Sequence, residues 1–150
     1  MNFKDININV QNKIVDILNN HIAAVVGILK EDKFLEPMMR INTNEPNDTL
    51  ISLVSEDGSI DVDKALEASI NRLKVTEFNY ALFSYSTQIG LSPTKIMDAL
   101  KTYIFIKDGL TVAFYTPYEF KGLFKKNINI ERTLLAEVIE NIFEERSLVL

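Results

Sequence analysis

Apolar residues recur at every third or fourth position between residues 10 and 30, at Val10, Ile14, Ile17, Leu18, Ile22, Val25, Ile28 and Leu29. This stripe predicts one long helix laid on a core, with Asn9 or Asn7 as its cap. A rival reading ends the helix at Asn19-Asn20 and makes Ile22 to Lys30 a strand, because Val25, Val26, Gly27 and Ile28 are poor helix formers. The unbroken stripe favours the single helix. Phe34 to Ile41 and Leu50 to Ser55 then read as two strands joined by a polar loop, Asn42 to Thr49, which Pro46 keeps out of the sheet. Pro37 can donate no ladder hydrogen bond, so the first strand is expected at an edge or with a bulge.

Asp61 is placed to cap a second helix whose inner face is Val62, Ala65, Leu66, Ser69, Ile70 and Leu73. Phe78 to Thr87 reads as a strand with Phe78, Tyr80 and Leu82 on one face and Ala81, Phe83 and Tyr85 on the other. Ser92-Pro93 suggests a single helical turn. Asp108-Gly109 predicts a two-residue type I′ hairpin between Thr102–Lys107 and Leu110–Thr116. That register puts Tyr103, Phe105, Val112 and Phe114 on one face, and Ile104, Ile106, Ala113 and Tyr115 on the other. From Asn129 onward, Leu134, Leu135, Val138, Ile139, Ile142 and Phe143 predict a last helix, with Glu131, Glu137, Glu140, Glu144 and Glu145 toward water. The apolar tail Ser147-Leu148-Val149-Leu150 fits no element. The expected fold is a single α+β domain over residues 1–150, of order α-β-β-α-β-β-β-α. Its antiparallel sheet has about five strands, with helices packed on one face.

That order, Pro37 in the first strand, Asp98-Ala99-Leu100 entering a strand and Thr116-Pro117-Tyr118 closing the hairpin resemble a group of small bacterial proteins of unknown function. The resemblance runs from Val15 to Gly122. It implies the α+β fold and, since the group has no assigned activity, no site residues.

Composition narrows the chemistry. Hydrophobic residues are 47% and charged residues 25% of the chain, the ordinary globular balance. Sixteen basic against 21 acidic residues give a net charge of −5, which argues against nucleic acid as a partner. The longest apolar run, Ile22 to Leu29, is far below the roughly 20 residues a membrane helix needs. Met1 to Ile6 lacks the pattern of a secretory signal, so no membrane and a cytoplasmic location are expected. The richness in Ile, Asn and Lys suggests an AT-rich bacterial genome.

Candidate catalytic and metal residues are sparse. The absence of cysteine removes thiolate nucleophiles and thiolate metal sites, and His21 is the single histidine. Beside an apolar stripe, His21 reads as a core or helix-border residue. Glu56-Asp57-Gly58-Ser59-Ile60-Asp61-Val62-Asp63 is acidic, but aligning Gly58 as the sixth residue of a calcium loop puts Leu53 first and Lys64 twelfth. It reads instead as a turn and an acidic helix start. Glycines at 27, 58, 90, 109 and 122 spell no phosphate loop. Asp98 and Glu119 are the carboxylates free enough for acid–base work, although nothing in their spacing demands it. Lys121, Lys125 and Lys126, interleaved with Phe120 and Phe124, form the only local basic cluster and read as a solvated loop. No catalytic residue, metal or cofactor is expected.

The informative oddity is that the strands at 78–87, 102–107 and 110–116 are apolar on both sides. A sheet covered on one face normally alternates. Either helices and loops cover both faces, or one face docks a protein partner or a second copy through Tyr80, Phe83, Tyr85, Tyr103, Phe105, Phe114 and Tyr115. The leading expectation is a non-catalytic interaction module, of inhibitor, immunity or adaptor type, for which the acidic charge suits a basic partner. The alternative is a carboxylate-dependent enzyme or small-ligand binder with a pocket between sheet and helices.

Overall fold

The computed structural model describes residues 1–107 and 109–143. After a 3-10 turn at Phe3–Asp5, the first stripe folds as one helix, α1 (Ile8–Asp32). The Asn7 side chain accepts from the Asn9 N–H at 2.8 Å and starts it; Lys33, left-handed at φ 70°, ends it. Ile14, Ile17, Leu18, His21, Val25 and Leu29 share its buried face. Burial of that face outweighs the weak propensities of Val25, Val26 and Gly27, at most about 1 kcal/mol each. The second helix, α2 (Val62–Lys74), is capped by Asp61, which accepts from the Lys64 N–H at 3.1 Å. Ala65, Leu66, Ser69, Ile70 and Leu73 form its inner face.

Among the described residues, seven strands make one curled antiparallel sheet. They are β1 (Met38–Asn42), β2 (Thr49–Ser52), β3 (Tyr80–Ser92), β4 (Lys95–Ile106), β5 (Thr111–Lys121), β6 (Asn127–Ile130) and β7 (Leu134–Ile139). The order is β2-β1-β3-β4-β5-β6, and β7 pairs with β5 beside β6. The α+β class and the antiparallel sheet agree with the sequence reading; the five strands and their order do not. Residues 127–139 are two strands, not a helix. They pair with β5 from Lys121↔Asn127 to Thr111↔Ile139, so an edge that would otherwise be unpaired decides their conformation against the helical spacing of Leu134, Leu135, Val138 and Ile139. The break between them lies opposite Pro117. The Pro117 carbonyl accepts from the Glu131 N–H at 2.8 Å, so the donor that proline lacks also faces this strand. Residues 144–150, with the expected helix end and apolar tail, lie outside the described residues.

Three further expectations are corrected. Pro37 precedes β1, which is an inner strand between β2 and β3, and its carbonyl accepts from the Leu53 N–H. No helical turn forms at Ser92-Pro93; β3 and β4 join there as a long hairpin. In the β4–β5 connection three residues separate Ile106 from Leu110, the pair that closes it. The Ile106 N–H donates to Leu110 O, the Gly109 N–H donates to Ile106 O, and Gly109 sits at φ 95°. This is the hairpin in which a left-handed glycine adds one residue to the loop. One residue shifts the register, so Tyr103 faces Ala113 and Ile104 faces Val112.

The helices lie on opposite faces, not on one. α1 packs on Leu82, Ile104, Val112 and Phe114, and farther along on Leu100 and Tyr118. α2 packs from the other side on Met39, Ile41, Ala81, Phe83, Tyr103 and Phe105. Two covered faces explain why these strands are apolar on both sides. Among the described residues no helix is long and apolar enough to cross a membrane.

Candidate functional site

Strand register sorts the seven aromatic candidates. Phe83, Tyr85, Tyr103, Phe105 and Tyr115 lie on the α2 face, whereas Tyr80 and Phe114 pack in the cluster under α1. Phe83 and Phe105 are fully buried, and Tyr103 and Phe114 are each 6% exposed. Tyr80, Tyr85 and Tyr115 are half-buried. The rings on the α2 face are contiguous: Tyr103 stands 5.9 Å from Phe83 and 6.4 Å from Phe105, and Phe83 stands 5.5 Å from Tyr85. The core cluster under α2 includes Tyr103 and reaches Tyr85 at its margin. The next row, Tyr85↔Lys101↔Tyr115, therefore lies half-buried at the margin of that cluster, with buried Ala99 and Pro117 beyond it on the same face.

Lys101 is the residue that composition and spacing did not single out. Its ammonium lies 5.1 Å from the ring centroids of both Tyr103 and Tyr115, within cation–π range. Burial opposes its charge, but the nearby Tyr103 and Tyr115 hydroxyls outweigh that, and its pKa is held above the usual lysine range. Burial pushes the Tyr85 phenol up to about 12 against the pull of Lys101. At neutral pH the patch places an ammonium beside the neutral Tyr85 phenol. A phenol raised this far is no base, so the patch suits binding more than proton transfer. No carboxylate among the described residues lies within salt-bridge distance of Lys101. The signal for Lys101 was its place within a run of strand residues, two before Tyr103; only the correct hairpin register brings Tyr115 beside it.

The carboxylate candidates do not converge. Asp98 pairs with Tyr118 across β4 and β5, so Glu119, one residue on, points to the opposite face. Glu119 holds Lys121 at 2.9 Å. Among the described residues, no three histidine or carboxylate side chains stand close enough to share a metal ion. His21 lies in the core under α1 at 2% exposure, and neither ring nitrogen has a hydrogen-bond partner. Burial, then the charge of Arg40, lowers its pKa to about 4, so the ring is neutral. Asp57 and Asp61 serve local structure: Asp57 accepts from the Ser59 N–H, and Asp61 caps α2.

A second polar set locks α1 to the sheet. The Leu35 N–H donates to Ser86 Oγ at 2.7 Å, Ser86 Oγ and Tyr118 Oη are 2.9 Å apart, and Tyr118 Oη donates to Lys33 O at 3.4 Å. Burial of Tyr118 raises its pKa. Both tyrosine environments are thus stable phenol sites without a partner base. Comparison with known proteins finds no match: no family model, no curated protein and no solved structure is significantly similar to this chain.

Proposed function

We propose that the chain is a non-catalytic protein-interaction module that docks through the α2-side sheet face at the Tyr85–Lys101–Tyr115 row. The observation that carries this reading is the half-buried Lys101, held between tyrosine rings with no carboxylate partner among the described residues. Tyrosines around a partly desolvated cation are the anchors typical of interface hot spots, each contributing about 2 kcal/mol where it is covered. Such a cation gains most from a carboxylate brought by a partner.

The occupant that suits this face is a second copy. Glu137 lies opposite Ala113 on β7, hence on the same face, and it is exposed without an ion pair among the described residues. A patch bearing both signs is self-complementary about a two-fold axis, so that Lys101 of one copy meets Glu137 of the other. The resemblance to small bacterial proteins adds no partner to this argument. Light scattering at micromolar concentration tests it: a dimer that becomes monomeric on Tyr85→Asp or Tyr115→Asp supports the reading. A wild type that stays monomeric throughout refutes it.

An alternative reading, a small-ligand binder, has one feature in its favour. A largely apolar groove of about 940 Å³ runs between α1 and β7, past Phe3, Val15, Leu18, Phe114 and Leu135. It brings together no reactive group, and its lining supports binding only.

A further inference from the structure

The β5–β6 hairpin presents its apolar tip to solvent. Leu123 is 80% and Phe124 79% exposed, among the most exposed large apolar side chains in the chain. The backbone that displays them is costly: Gly122, Phe124 and Lys125 have φ of 85°, 61° and 52°. Two consecutive non-glycine residues in the left-handed region are strained, and among the described residues no packing of Leu123 or Phe124 offsets that strain. The tip is also braced. Lys33, the residue that ends α1, donates to Lys125 O at 3.0 Å and lies 4.4 Å over the Phe120 ring.

Its charge runs against that of the whole chain. Lys121, Lys125 and Lys126 flank the Leu123-Phe124 pair and Lys33 joins them, in a protein of net charge −5. Glu119 neutralises Lys121 at 2.9 Å, and Glu31 and Asp32 stand just before Lys33 on α1; no salt bridge reaches Lys125 or Lys126 among the described residues. Lys126 lies 5.8 Å from the Phe124 ring centroid, so its stem accompanies the ring. A second tip emerges at the same end. β4 and β5 are antiparallel neighbours, so the β3–β4 turn and the β5–β6 turn leave the sheet together, and the first adds Lys95, Leu91 (41% exposed) and Ile96 (70% exposed).

We propose that this end of the molecule rests on an anionic lipid surface, with Leu123 and Phe124 entering the headgroup boundary and Lys125 and Lys126 meeting lipid phosphates. The tip is convex and apolar at its apex with cations behind it, which is the order of a bilayer interface, apolar inside and anionic at the rim. No membrane-crossing segment is required, so the short apolar runs of the sequence are no obstacle.

The test is sedimentation of the full chain with phosphatidylcholine vesicles and with vesicles of equal parts phosphatidylcholine and phosphatidylglycerol. Binding is expected to the mixed vesicles only, and to fall with added salt. Lys125→Gln and Lys126→Gln should each weaken it about fivefold, and Phe124→Asp about tenfold or more. Circular dichroism should leave all three variants folded, because these side chains are exposed. Absence of binding to either vesicle, equal binding to both, or binding undiminished in Phe124→Asp would each overturn the proposal. So would capture of a poly-glutamate peptide by a chain that ignores vesicles, which would make the partner an acidic protein.

Discussion

Replacing His21 by leucine should remove most of the acid sensitivity that the core carries between pH 6.5 and about 4. The ring is buried, lacks a partner for either nitrogen and faces the charge of Arg40, which together lower its pKa from 6.5 to about 4. At about 1.4 kcal/mol per unit, the shift corresponds to about 3 kcal/mol. The sign follows from the direction. Above 6.5 both folded and unfolded chains hold neutral histidine, and stability is full. As pH falls, the unfolded chain takes up a proton that the folded chain refuses, so stability drops progressively and the loss is complete below about 4. About 2 kcal/mol should be gone by about pH 5. Carboxylates titrate in the same range, so the quantity to measure is the difference between wild type and His21→Leu in urea unfolding at a series of pH values. Near neutrality the leucine variant should match or exceed wild type, because two unpaired polar atoms leave the core without a large change of volume. Parallel loss of stability in both proteins on acidification would refute the reasoning.

Gly109→Val should destabilise by about 1 kcal/mol or more, because φ of 95° strains a β-branched residue; an unchanged melting temperature would contradict it. Tyr118→Phe should cost about 1 kcal/mol, and it should speed amide exchange at Leu35, whose N–H donates to the Ser86 hydroxyl that Tyr118 holds. Unaltered exchange at Leu35 would mean that the lock does not fasten α1. Elemental analysis of protein purified without an affinity tag should find no stoichiometric zinc, iron or manganese, as expected of a chain with one histidine and no cysteine; one metal per chain would overturn this.

Helices were legible where local signals agreed. The stripe from Ile14 to Leu29 marks the face that α1 buries, and the Asp61 cap marks the start of α2, so both helices could be read from local spacing. The β4–β5 hairpin was legible as a hairpin but not in register. Asp-Gly suits both a two-residue and a three-residue loop, and one residue decides whether Tyr115 shares a face with Tyr103. The strands at 127–139 were hidden because Leu134, Leu135, Val138 and Ile139 have helical spacing; the pull that overrides it is the edge of β5, distant in sequence and invisible to any local window. Lys101 was missed for the same reason, since Tyr115, the second ring beside it, comes from another strand. Asp98 and Glu119, close in space along adjacent strands, were separated by pleat, which is a property of register and not of composition.

The most direct measurement of the central claim is a charge-swap experiment on the α2-side face, read by light scattering. Lys101→Glu places like charges at both two-fold contacts with Glu137, and Glu137→Lys does the same with the opposite sign. Each variant alone should be monomeric at concentrations where wild type dimerises. Mixed in equal amounts they should form a heterodimer, because each contact then pairs a lysine with a glutamate. Monomers persisting in the mixture, or wild-type-like dimers in either variant alone, would contradict the assignment of this face as the docking surface.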